Sequence, residues 1–70
     1  MRVQIRINAG TDTRFSAEAT ARLVGQGPTV NVREADGSLI LADLGRGRVV
    51  AAEMVDDGAA LLVTVESTTP

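Results

Sequence analysis

The chain reads as an all-β protein, a small antiparallel meander of five or six short strands forming a barrel or sandwich. Three observations lead there. Polar and apolar residues alternate cleanly at the N-terminus. Asp-Gly turn signals occur at Asp36-Gly37 and at Asp56-Asp57-Gly58. The apolar runs between such signals are short, at spacings of roughly 8–12 residues.

The first element is a strand over 2–8. Val3, Ile5 and Ile7 point one way, and Arg2, Gln4, Arg6 and Asn8 the other. Residues 9–12 make a turn. The stretch 14–24 carries two signals. As a strand it sets Phe15, Ala17, Ala19, Ala21 and Leu23 on one face, against Ser16, Glu18, Thr20 and Arg22. As a helix it has Ser16 to cap it, a Glu18–Arg22 pair at i,i+4, Gly25 past its end and a high alanine content. The unbroken alternation favours a strand. The alternative is a helix at about 16–24, which makes the fold an α+β open-faced sandwich. Residues 25–28 break regular structure. Segments 29–35 and 38–42 form a hairpin about Asp36-Gly37, and 43–47 form a loop. Segments 48–55 and 59–66 form the last hairpin, closed at Asp56-Asp57-Gly58 by a type I turn with a left-handed glycine bulge. Leu61, Val63 and Val65 share one face of it, with Leu62 on the other, and this hairpin is expected to be the centre of stability. Residues 1–66 make one domain and 67–70 a polar tail.

Several of these strands are apolar on both faces. Leu39-Ile40-Leu41-Ala42, Val49-Val50-Ala51-Ala52 and Ala59-Ala60-Leu61-Leu62-Val63 do not alternate. The short turns impose antiparallel pairing, and a chain of 70 residues can cover only one sheet face with itself. Ile40, Val50, Ala52 and Leu62 are therefore candidate interface residues, with a second copy or another protein as the cover.

Composition narrows the chemistry. There is no His, Cys, Lys, Tyr or Trp; all seven cations are Arg, and Phe15 is the only aromatic. The usual general base near neutral pH, the thiolate, the Schiff-base amine and the best metal ligands are all missing. No catalytic residue, metal site or cofactor is expected. Asp56 and Asp57 read as turn residues, since a hard cation needs six or more oxygens. Gly45-Arg46-Gly47-Arg48 lacks the spacing, lysine and following hydroxyl of a phosphate loop. Arg2, Arg6, Arg46 and Arg48 are candidates for contact with an anion or an acidic partner. The net charge of −2 and the lack of stacking aromatics argue against nucleic acid. Convergence of Arg2, Arg6, Arg33, Arg46 and Arg48 on one face is what a nucleic-acid binder would need. No apolar run approaches the length of about 18 residues needed to span a membrane, and no leader is evident. The expected place is the cytoplasm, or a particle assembled there.

One stretch resembles the HPr-type phosphocarriers of the sugar phosphotransferase system. Gly10-Thr11-Asp12-Thr13-Arg14-Phe15 stands where that family has Gly-x-His-x-Arg-Pro at the start of a helix, and 30–37 falls at its central hairpin. The likeness covers about half the chain. Asp12 occupies the phosphoryl-accepting histidine position, Phe15 the proline position, and the family's final helix has no counterpart. The resemblance implies a carrier-like or regulatory module without phosphoryl transfer, a helix at 16–24, and Arg14 as an anion contact. The leading expectation is a non-enzymatic protein that works by protein–protein contact, as a homo-oligomer or assembly component. The Arg-only, Ala- and Gly-rich composition has the flavour of GC-rich coding, which fits a structural or accessory protein of an actinobacterial phage.

Overall fold

The structure is a computed structural model that describes residues 1–33 and 39–67. The described residues form five strands, β1 (Arg2–Asn8), β2 (Thr29–Arg33), β3 (Leu39–Asp43), β4 (Gly47–Val55) and β5 (Ala60–Ser67), one short α-helix, α1 (Ala17–Ala21), and a 3-10 turn at Asp56–Gly58. The strands form two antiparallel sheets, β1-β5-β4 and the hairpin β2-β3. The arrangement is an open sandwich, not a closed barrel. The first strand pairs with the last, which puts β5 at the centre of its sheet. Ser67 belongs to β5, opposite Gly47, and not to a tail. The Asp36-Gly37 turn and residues 68–70 lie outside the described residues. No described helix is long and apolar enough to cross a membrane.

Residues directly opposite across an antiparallel pair share a face. The register therefore sorts the three-stranded sheet into rows. Val3, Val65 and Val49 form one inward row, Ile5, Val63 and Ala52 the next, and Ile7, Leu61 and Met54 the third. Leu61, Val63 and Val49 are fully buried, and Val65 nearly so. Val30 and Val32 of β2 join them from the hairpin, with Phe15 and Leu23 from the segment around α1. The face expected from Leu61, Val63 and Val65 is thus the centre of the core.

The segment 14–24 is not a strand. It makes one helical turn over 17–21, and propensity and capping override the alternation. Ser16 Oγ accepts from the Ala19 N–H at 3.0 Å, a side-chain cap of the first turn. Glu18 and Arg22 form an ion pair one turn apart. Gly25, at φ +92°, ends the turn that follows. Strand alternation puts Ala17 and Ala21 inside, yet both are exposed. The buried set is Phe15, Thr20 and Leu23, with Thr20 inside α1 and the other two just beyond its caps. Thr20 escaped notice because it is polar; its hydroxyl donates to the Ser16 carbonyl at 2.8 Å and so is buried without cost in unmade bonds.

Two backbone details shape the sheet. Between Val49 and Ala51 the β4–β5 register shifts by one residue, leaving Val50 in a β-bulge. The bulge switches the inward face of β4 from odd positions to even ones. This is why 49–52 reads as apolar on both faces: Val49 and Ala52 face the same core. At the β4–β5 connection, Asp56, Asp57 and Gly58 all have positive φ, in place of the expected type I turn. The loop is docked: the Phe15 N–H donates to the Gly58 carbonyl at 2.8 Å and the Ala9 N–H to the Ala59 carbonyl at 2.9 Å.

Candidate functional site

The outer face of the three-stranded sheet carries most of the arginines picked out in the sequence. Arg2, Glu66 and Arg48 form one row across it, and Arg6, Leu62 and Glu53 another. Arg2 Nε lies 2.6 Å from Glu66 Oε2. The hydrogen bond from Arg2, with the charge of the same guanidinium, holds the Glu66 carboxyl below its ordinary range; the amino terminus and Arg48 act in the same direction. Arg6 pairs with Asp56 and donates through Nε to Asn8 Oδ1 at 3.0 Å. Arg46 lies in the turn before β4, and Arg33 on the other sheet. Arg2, Arg6 and Arg48 thus share a face, but carboxylates alternate with them, and the potential is locally balanced. Arg14 points its guanidinium at the chain itself, donating to the Asp57 carbonyl at 3.1 Å.

The four candidate interface residues do not make one patch. Ile40 and Ala52 pack against the core. Leu62 is half-buried on the outer face, flanked by Arg6 and Glu53, and Val50 is half-buried in the bulge. The exposed apolar pair is instead Leu39 and Leu41, at 55% and 65% exposure. In the β2–β3 register, Val32 and Val30 oppose Ile40 and Ala42 on the inner face. Arg33, Asn31 and Thr29 oppose Leu39, Leu41 and Asp43 on the outer one. The outer face of the hairpin thus carries Leu39 beside Arg33 at one end, Leu41 at the centre and Asp43 at the other end. Asp43 is held in place by accepting the Gly45 N–H at 2.9 Å.

The edge of β3 adds to this. Among the described residues, Leu39–Asp43 make backbone hydrogen bonds to β2 and to no other element. β4, by contrast, has its outer edge covered at Val49, whose N–H and carbonyl bond to Gln26 and Gly25. A groove of about 230 Å³ runs beside the hairpin, lined by Ala19, Arg22, Asn31, Val32, Arg33 and Leu39. Its Arg22 is ion-paired to Glu18. Among the described residues no three His, Cys, Asp or Glu side chains cluster as metal ligands.

The scan against protein-family models, the search of curated proteins and the search of solved structures each returned no match.

Proposed function

We propose that this protein is a non-enzymatic assembly part that works by protein–protein contact through the outer face of the β2–β3 hairpin. The observation that carries this reading is the pair Leu39 and Leu41, both more than half exposed, two residues apart on a strand whose backbone, among the described residues, bonds only to β2. Native edge strands are normally blunted by charge, proline, bulges or cover. β1 follows that rule with Arg2 and Arg6. β3 carries a charge only at its last residue, Asp43. The missing His, Cys, Lys and Tyr support a role without catalytic turnover. A phage particle or similar assembly fits the size and composition.

Photo-crosslinking tests the reading. A photoreactive residue is placed at Leu41 and, separately, at Gln4 on the outer face of β1, in cells carrying the native gene. Adducts identified by mass spectrometry, to this chain or another protein, are expected from position 41 and not from position 4. Absence of adducts at 41, or equal yields from both positions, would count against a contact surface on the hairpin.

A further inference from the structure

We infer that the partner of the hairpin is a second copy of this chain, paired antiparallel along β3 about a two-fold axis at Leu41. The inference rests on the hairpin being the contact surface and adds the partner, the register and the symmetry.

A two-fold interface must be self-complementary: whatever residue i meets, its copy meets in return. The outer face of the hairpin has that property. Its register places Arg33 beside Leu39 at one end and Asp43 beside Thr29 at the other, with Asn31 and Leu41 between. Antiparallel pairing of β3 with its copy, centred on Leu41, uses all five residues of the strand. Leu41 then meets Leu41 of the second copy, and Leu39 meets Asp43. One outer row runs Arg33, Leu39, then Asp43 and Thr29 of the copy. Arg33 and that Asp43 are two strand spacings apart, roughly 10 Å between Cα atoms. An arginine laid across the leucine spans this distance, and its five N–H donors can serve that carboxylate beside the interaction Arg33 already makes within its own chain, while its stem covers Leu39. The same contact recurs at the other end. On the inner face Ile40 meets Ala42, and both already pack against the core. The shared edge is about 17 Å long and the contact is below the size of an obligate interface, so the dimer is concentration-dependent.

Charge also argues against the edge of β1. Among the described residues β1 bonds only to β5 along its length. Full-length antiparallel pairing of β1 with its copy about Ile5 puts Arg2 and Arg6 of both chains on one face of the seam, and each is already paired within its own chain, to Glu66 and Asp56. The hairpin edge brings an arginine to a carboxylate of the copy, and the β1 edge offers no such new pair.

The chain has no cysteine, so single cysteines report on this geometry without background. Leu41→Cys, at a site 65% exposed, should give a disulfide-linked dimer under mild oxidation, in a concentration-dependent yield. An equimolar mixture of Leu39→Cys and Asp43→Cys should give the mixed dimer, while Leu39→Cys alone and Gln4→Cys should stay monomeric. Circular dichroism of each variant checks that the fold is kept. On the wild-type chain, hydrogen exchange at β3 amides should slow as concentration rises about a hundredfold, with β1 amides unchanged; no change at β3 overturns the inference. A dominant 39–41 disulfide from mixed Leu39→Cys and Leu41→Cys chains overturns the register. If no self-linkage forms while the photo-crosslink from position 41 lands on a different protein, the second copy is refuted and the contact surface stands. If both experiments are blank, both readings fall.

Discussion

Gly47 opens β4 opposite Ser67 and is buried. A Cβ at this position would overlap Cγ1 of Val65 and come within 3.3 Å of the Leu44 carbonyl oxygen. Val65 is 3% exposed and lies between Val3 and Val49 on the inward face. Its branched side chain is stiff at χ1, so it does not swing aside cheaply. Gly47→Ala should therefore cost about 1–3 kcal/mol by overpacking. Set against that is a smaller backbone term. Gly47 does not have a positive φ, so alanine there reduces unfolded-state entropy, a gain of about 0.4–1 kcal/mol. Val65→Ala removes the obstructing methyl at its own cost of roughly 2–3 kcal/mol, two carbons at about 0.8 each plus a cavity term. In the Val65→Ala background the added methyl of Gly47→Ala refills part of that cavity. The second substitution should then be neutral or stabilising by up to ~1 kcal/mol. The expected coupling between the two sites is roughly 1–3 kcal/mol. Urea unfolding of the four proteins at one fixed protein concentration measures it. An equal cost of Gly47→Ala in both backgrounds would show that Val65 is not the obstruction, and that the packing of β4 on β5 is wrongly described.

Three further outcomes are expected. Leu61→Ala, at a fully buried site, should cost about 2–5 kcal/mol. Against a total stability of roughly 4–10 kcal/mol for a chain this size, its melting midpoint should fall sharply; a midpoint within a degree or two of wild type would place the core elsewhere. Ser16→Ala should cost about 0.5–2 kcal/mol through loss of the bond to the Ala19 N–H, and Ser16→Asp should retain most of it, both read by thermal melts; equal losses would remove the cap from the account. The Glu66 carboxyl, held by Arg2, should titrate by NMR with a midpoint below the ordinary 4.5. Because its folded value is depressed, its contribution is present above 4.5 and fades as the pH falls through that lower value. Glu66→Gln should flatten the pH dependence of stability in that acid window, and a midpoint at or above 4.5 would refute the pairing.

The parts of the fold that followed from the sequence are those where period and turn chemistry agree. In β1 and β2 each side chain has one obvious face, and the structure keeps it. The β4–β5 hairpin was legible from Asp56-Asp57-Gly58 between two apolar runs, and the inward triplet Leu61, Val63 and Val65 follows from β5 alone. At 16–24 a two-residue period and a helix cap competed over the same residues. Alternation of alanine with polar residues is a weak signal, because alanine is content on either face. The capping serine and the i,i+4 ion pair were the informative features, since each fits only one backbone. The bulge at Val50 had no sequence signal. It is a property of how β4 meets β5, and without it the run 49–52 could only be taken as a strand buried on both sides.

The surface proposed for contact was missed for a reason of register. Residues 39–42 are apolar throughout, so period alone gives β3 no inward face. The partner strand decides, because Val30 and Val32 must face the core. A two-residue turn at Asp36-Gly37 pairs Val32 with Leu41 and turns Ile40 outward. The observed register pairs Val32 with Ile40, one residue away. A slip of one residue moves every side chain of a strand to the opposite face. Ile40 therefore goes to the core, and Leu39 and Leu41 go to solvent. The expectation of a second apolar face in this chain rested on Ile40, Val50 and Leu62 taken together. The bulge accounts for Val50, the flanking Arg6 and Glu53 account for Leu62, and the register exchanges Ile40 for two larger exposures on the same strand. What remains of that expectation lies on β3, which among the described residues bonds only to β2 and carries no charge before Asp43. Its two leucines, flanked by Arg33 at one end and Asp43 at the other, are the arrangement a two-fold partner can match.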